Sequence, residues 1–174
     1  MKTNGEHGDV MIKMEAIMGT RDVVINQLES TLNDTLAYFD ASTALLNKAY
    51  APGKWSMREI LVHLSDCETV HLDRLRRLAA EEKPILMAFD QDRWASALLY
   101  QQRNLSLAKS QYETARRNVI ELARILEPGV DAKTGTHSEA GARTFDWVLT
   151  HIPIHNAHHL EQIRAIAEGR TWNK

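Results

Sequence analysis

The sequence predicts an all-α protein built as a four-helix bundle, and three observations predict it. Four long stretches carry apolar residues at the three- and four-residue spacing of an amphipathic helix. Glycine and proline, 8 and 4 in 174 residues, gather mainly between those stretches. Strand signals are weak: residues 23–25 and 60–62 are short apolar runs, and both lie inside longer helical patterns.

The elements follow in order. Residues 1–14 read as a polar N-terminal tail and residues 15–174 as a single domain. The first helix is expected from Thr20 to Ala41, with Val24, Leu28, Leu32 and Phe39 on one stripe. The second is expected from Ser56 to Glu82. Ser56 and Glu59 form a capping box, in which each side chain satisfies a backbone N–H that the helix start leaves unpaired. Its stripe is Ile60, Leu64, Cys67, His71, Leu75 and Leu78. The third is expected from Ala97 to Leu126, ended by Pro128-Gly129. The fourth runs from Thr144, an N-cap, to Glu168, where Gly169 stops it. Pro153 lies inside this helix, removes a bond to the Leu149 carbonyl and is expected to kink it. The connection from Lys83 to Ser96 can reach at most about 46–50 Å, and a 28-residue helix is about 42 Å long. The second and third helices can therefore run parallel, joined by a long crossover along the bundle.

Composition excludes several classes of function. Lys and Arg number 21 against 23 Asp and Glu, a net charge of −2, so bulk charge does not hold this chain to nucleic acid or to an anionic membrane. No apolar run approaches the roughly 20 residues needed to span a bilayer, and Met1 to Asp9 contains no apolar signal core. The single cysteine, Cys67, allows no intramolecular disulfide and suits a reducing compartment. The expectation is a cytoplasmic protein with a small-molecule substrate. Gly-x-Ser-x-Gly, phosphate-cradling Gly-x4-Gly-Lys and Gly-x-Gly-x-x-Gly are all missing. So is His-Glu-x-x-His, because Asn156 stands where its glutamate would be. The four tryptophans read as packing residues.

Histidine carries the chemistry. Four of the 8 fall in one segment, His151-Ile-Pro-Ile-His155-Asn-Ala-His158-His159. On a helix, His155 and His159 project from one face with Cβ atoms about 5–6 Å apart, close enough for two imidazoles to share an ion at about 2.0–2.1 Å. A third ligand must come from another helix, and His63, two turns into the capped second helix, is the candidate. Alone it would read as a boundary residue; beside the helical pair it reads as a ligand.

Two segments carry a family resemblance. Trp55-Ser56-Met57-Arg58-Glu59-Ile60-Leu61-Val62-His63-Leu64 resembles the second-helix signature of the DinB/YfiT-like superfamily of metalloenzymes, and His155-Asn156-Ala157-His158-His159-Leu160-Glu161-Gln162-Ile163 resembles its fourth-helix signature. Between them, Phe89-Asp90-Gln91-Asp92-Arg93-Trp94 and Gly135-Thr136-His137 are similar to connecting loops of one branch. The likeness covers about residues 20–168. It implies up-down-down-up topology and a divalent metal ion held by His63, His155 and His159. Pro153, just before the pair, departs from the pattern.

The remaining candidates have ordinary readings. His158 lies about 100° around the helix from His159 and reads as exposed or supporting. His151 is separated from His155 by Pro153. Cys67, four residues after His63, reads as a small buried residue of the core stripe; as a fourth ligand it would close the site. His71 reads as a boundary residue, and His7 and His137 have no partner at diagnostic spacing. The roles of His151, His158 and Cys67 stay open, and no catalytic residue is assigned.

Three neutral histidines leave a divalent ion with an open position. Zinc is the first choice and nickel the second. The resemblance implies relatives that use a low-molecular-weight thiol, so the first functional reading is a metal-dependent thiol S-transferase. A metal-dependent hydrolase is the alternative, and a non-enzymatic, stress-associated metal-binding bundle the third reading. A homodimer is the expected assembly.

Overall fold

Three of the four bundle helices start on side-chain caps that the sequence supplies. The computed structural model describes residues 5–172, with side chains over residues 21–172. The helices are α1 (Gly5–Tyr38), α2 (Thr43–Leu46), α3 (Met57–Ala80), α4 (Gln91–Ala97), α5 (Leu105–Ile125) and α6 (Phe145–Glu168). The strands are β1 (Ile85–Leu86), β2 (Thr134–His137) and β3 (Gly141–Thr144). Ser56 and Glu59 form the expected capping box on α3, the Glu59 carboxylate accepting from the Ser56 N–H at 2.8 Å. Asn104 caps α5 by accepting from Leu107 N–H, and Thr144 caps α6 by accepting from Trp147 N–H. Gly169 ends α6 at φ 68°, in the left-handed region that glycine enters without penalty. α6 runs unbroken through Pro153. α1 begins at Gly5, ahead of the Thr20 start expected for the first helix, so residues 5–14 of the expected tail belong to it; residues 1–4 lie outside the described residues.

Two expectations need correction. The third bundle helix starts at Leu105, not Ala97. Leu99 adopts a left-handed φ of 51°, Arg103 is extended, and Asn104 restarts the helix as its cap. Leu98 and Leu107, which fit the helical rhythm, are exposed, whereas Tyr100 in the intervening turn is fully buried and donates to Asp66 Oδ2 at 2.8 Å. The second correction concerns strands. The two long connections meet in a three-stranded sheet of order β1-β2-β3, in which β1 pairs parallel with β2 and β2 antiparallel with β3. Strands of two to four residues are too short to show an alternating pattern. Gly135 lets β2 approach closely, because a Cβ there would lie 2.8 Å from the Pro84 carbonyl oxygen.

Side-chain bonds fix the helix directions. Between α3 and α5 the partners rise together: Asp66 with Gln111, Glu68 with Arg116, Arg76 with Asn118. These helices are parallel neighbours. Between α1 and α5 they run oppositely, from Arg21 with the Leu126 carbonyl to Asp40 with Lys109. α3 and α6 are also antiparallel, His63 lying beside His155 and His71 beside His151. The bundle is therefore up-down-down-up, with the crossover between α3 and α5. Among the described residues, no helix is long and apolar enough to cross a membrane.

The apolar core includes Leu28, Ile60, Leu64, Leu75, Tyr112, Val119, Phe145 and Ile163, all fully buried. A polar network crosses it. Arg116, with no exposed surface, donates to both Glu68 carboxylate oxygens (2.8 and 2.5 Å), to Asn156 Oδ1 (2.9 Å), to Thr31 Oγ1 (2.8 Å) and to the Leu28 carbonyl (3.0 Å). Asn156 also accepts from Tyr112 Oη at 2.6 Å and donates to Thr35 Oγ1 at 3.0 Å. Removing one partner of a buried ion pair strands the other's charge and costs about 3–5 kcal/mol. Glu68→Ala is expected to lose stability in that range, measured by urea unfolding. The double change Glu68→Leu with Arg116→Met is expected to lose less than Glu68→Ala alone; a loss equal to the sum of the two single losses would contradict the stranded-charge account.

Candidate metal centre

Antiparallel packing of α3 against α6 brings His63 opposite the pair His155 and His159. His63 Nε2 and His155 Nε2 are 3.4 Å apart. That exceeds the 2.7–3.2 Å range of protein hydrogen bonds from N–H donors. It matches the edge of a tetrahedron with metal–nitrogen bonds of about 2.0–2.1 Å, roughly 3.3–3.4 Å. The His159 ring centre lies 4.8 Å from that of His63 and 4.6 Å from that of His155. Gln162 Oε1 is 2.8 Å from His159 Nδ1. Because that oxygen can only accept, the proton sits on Nδ1 and the lone pair of Nε2 is left for a ligand role.

Cys67 joins this cluster. Its Sγ lies 3.4 Å from His63 Nε2, and His63, Cys67 and His155 each place one donor atom within 4.8 Å of the others. It is also buried on the core stripe, as the sequence suggested. Burial, reinforced by the carboxylates of Glu68 and Asp66, pushes its thiol far above the usual range. The imidazoles move the other way. Burial, with His159 adding to it, lowers His63 to about 3. Burial takes His155 far below the imidazole range, with His159 and His71 contributing. Burial also lowers His159 to about 4, although its bond to Gln162 opposes the shift. The histidines are neutral at ordinary pH, the state in which imidazole binds a cation. Donor type and spacing fit a divalent ion at His63, Cys67 and His155; His159, whose ring lies beside them, is not in the group whose donor atoms fall within 4.8 Å of one another.

Two clefts meet at the cluster. The larger, about 740 Å³, is lined by Lys54, Trp55, Asp92 and His158 together with His155 and His159, a size within the usual range for small-molecule sites. The smaller, about 250 Å³, is lined by His71, Arg74, His137 and Glu139 together with His63 and Cys67. His151 and His155 border both. The Trp55 ring packs 4.8 Å from His63 and lies nearly parallel to His159. His151 stacks on Trp147, and His158 contacts Trp172 and the Gln162 amide. His71 is buried 6.0 Å from the His155 ring centre. His7 lies outside the described side chains. Sequence reasoning overlooked Gln162, although its place three residues after His159 puts it on the same helical face. It also overlooked Arg74.

Known proteins resemble this chain. Residues 27–163 match the family model of the DinB superfamily. A protein of Oceanobacillus iheyensis named as a candidate metal-dependent hydrolase is 26% identical over 148 residues, covering 85% of this chain and 84% of its own. A Bacillus mycoides protein of the same description is 22% identical over 152 residues, 87% of each chain. Among solved structures, YfiT from Bacillus subtilis superposes with a TM-score of 0.78 at 20% identity, covering 87% of this chain and 89% of its own. It is described as a candidate metal-dependent hydrolase with an unusual four-helix bundle topology. The four-helix bundle protein TT2238 superposes with a TM-score of 0.61 at 23% identity, covering 83% and 98% of the two chains. Both structural likenesses show the fold.

Two outcomes follow from the cluster. Elemental analysis is expected to find that His63→Ala, His155→Ala and His159→Ala each lose most of one equivalent of divalent metal, and that His137→Ala keeps it. Gln162→Ala is expected to weaken metal affinity about 10–100-fold. The second outcome concerns acid. The cluster histidines have folded pKa values depressed below about 6.5, so the unfolded chain binds more protons wherever pH lies between the two values. In metal-free protein, their contribution to stability is complete above pH 6.5 and falls as pH drops toward about 4. Urea titrations at pH 7, 6 and 5 measure this, and His63→Gln is expected to flatten the slope. An unchanged slope would count against a neutral buried His63.

Proposed function

The chain belongs to the DinB superfamily, and on that premise we propose that it is a metal-dependent hydrolase of a small polar molecule, its ion held by His63, His155 and His159. The observation that carries this reading is the 3.4 Å approach of the His63 and His155 Nε2 atoms beside a cleft of about 740 Å³. The names of the relatives support hydrolysis over the thiol transfer that the sequence placed first. Zinc or nickel suits a set of neutral imidazoles. A divalent ion in such a site polarises a carbonyl or phosphoryl oxygen and supplies a nucleophile from water near neutral pH.

The protein's own residues do the rest. Gln162 holds the His159 ring in one tautomer and one direction. Trp55 covers His63 and His159 on one side and keeps water off their rings. His158 and Asp92 line the larger cleft, where a substrate's leaving group would sit. An imidazole or a carboxylate is the residue type that serves as general acid or base. Cys67, buried on the core stripe, does not close the site in this reading.

One observation favours thiol S-transfer as a second reading: the cluster already accommodates a sulfur atom 3.4 Å from His63 Nε2. Cobalt substitution separates the two. In a Cys67→Ser background, which removes the internal thiol, the cobalt protein is titrated with cysteine and glutathione while near-ultraviolet absorption is recorded. The hydrolase reading expects no thiolate-to-cobalt band, and turnover of an ester, amide or phosphoester from a substrate panel that is lost in His159→Ala. A saturable band, abolished in His159→Ala, would replace hydrolysis with thiol transfer.

A further inference from the structure

Among the described residues, Arg74 is a cation without a counter-ion. It projects from α3, half-buried, on the wall of the 250 Å³ cavity beside His63 and Cys67. It donates to the Met87 carbonyl at 2.5 Å and makes no ion pair among the described residues, and its buried Nε has no partner. The nearby Asp73 carboxylate is engaged with Arg77 at 2.7 Å. A guanidinium partly removed from water with no matching anion loses hydration and gains no Coulomb energy in return.

The β2–β3 connection supplies a second donor to the lining of the same cavity. His137 Nδ1 accepts from the backbone N–H groups of Glu139 (3.3 Å) and Ala140 (3.2 Å) in the β2–β3 turn. A ring nitrogen that accepts carries no proton, so the proton of the neutral ring is on Nε2, which is left as a donor. A third wall residue, His71, has an unpartnered Nδ1 although it is 6% exposed. Buried polar atoms are normally satisfied, and here two orphans line one small polar cavity. Glu139, the carboxylate on its rim, is exposed and forms no pair with Arg74.

We propose that this cavity is a binding subsite for a small oxyanion, the carboxylate or phosphate end of the substrate, with Arg74 as its counter-ion and His137 Nε2–H as a second donor. The planar guanidinium suits two-oxygen recognition of such a group. Lys54 in the larger cleft is a weaker candidate, because it is exposed and keeps its hydration. The anion's place next to His63 and His155 puts the rest of the molecule at the metal cluster. In its role as a substrate subsite the inference rests on the proposed hydrolase. The substrate class is then a small anionic molecule, not a neutral one.

The test uses binding, not turnover. Isotope-labelled, metal-loaded protein is titrated with sodium acetate, sodium phosphate and sodium chloride at equal ionic strength, following the His137 ring and Arg74 Nε–H resonances. Acetate or phosphate is expected to shift both saturably; whichever saturates at lower concentration assigns the group as carboxylate or phosphate. Arg74→Met is expected to weaken the anion at least tenfold, read at His137. If that variant misfolds, Arg74→Lys and His137→Ala carry the comparison, each expected to weaken it at least threefold. Chloride matching both probes, or shifts that never saturate, would overturn the inference. His159→Ala, at a proposed metal ligand that does not line this cavity, separates the two readings once its metal content is measured. Anion binding kept while metal is lost supports the subsite; both lost together means the anion was a ligand of the ion and overturns it. Metal retained in His159→Ala sinks the metal assignment and leaves the Arg74 comparison to decide the subsite.

Discussion

The Arg116 guanidinium is the point on which the four helices agree. It bonds α1 through Leu28 and Thr31, α3 through Glu68 and α6 through Asn156, while belonging to α5. A buried charge of this kind is tolerated only when its hydrogen-bonding capacity is filled, so each partner helix is held in one rotation about its own axis. Asn156 sits between His155 and His159 in sequence, and Tyr112 and Thr35 hold its amide. The rotation that places Asn156 in the network turns both histidines toward α3. Glu68, following Cys67, has the same effect on α3. The cluster owes its 3.4 Å approach to a network that touches none of its imidazoles.

That arrangement explains the residue at position 156. In a metalloprotease helix of the His-Glu-x-x-His type the second position supplies a general base. Here it supplies an amide, which accepts from Arg116 and Tyr112 and donates to Thr35 at the same time. A carboxylate could accept but not donate. The position has been given to architecture, and the groups able to move protons lie instead on the cleft walls.

What the sequence made legible was local. The Ser56–Glu59 box, the Thr144 cap, the Gly169 stop and the His155–His159 spacing each depend on residues within one or two turns, and each stands in the structure. The length of the crossover allowed α3 and α5 to run parallel, and the family resemblance implied that they do. The illegible parts depend on distant partners. Arg116 lies next to Ala115 on the buried face of α5 and reads as a polar interruption, because its carboxylate is 48 residues away. The break at Leu99 is a backbone torsion, set among leucines that fit a helical rhythm equally well. Cys67 shows the limit from another side: a core residue and a neighbour of His63 have the same helical address, and only the 3.4 Å contact joins the two descriptions.

The crossover also has a kinetic consequence. In an up-and-down bundle each helix can dock on the one just made, closing only a short loop. Here α3 and α5 are parallel, and the bonds that join the bundle span long stretches of chain: 105 residues from Arg21 to Leu126, 121 from Thr35 to Asn156. Loop closure of that kind must precede the reward from the contacts, and folding slows as the mean sequence separation of contacts grows. α6, made last at the ribosome, brings Asn156 to complete the Arg116 network and both helical histidines to complete the cluster. The polar centre and the histidine cluster therefore both wait on the docking of the same helix.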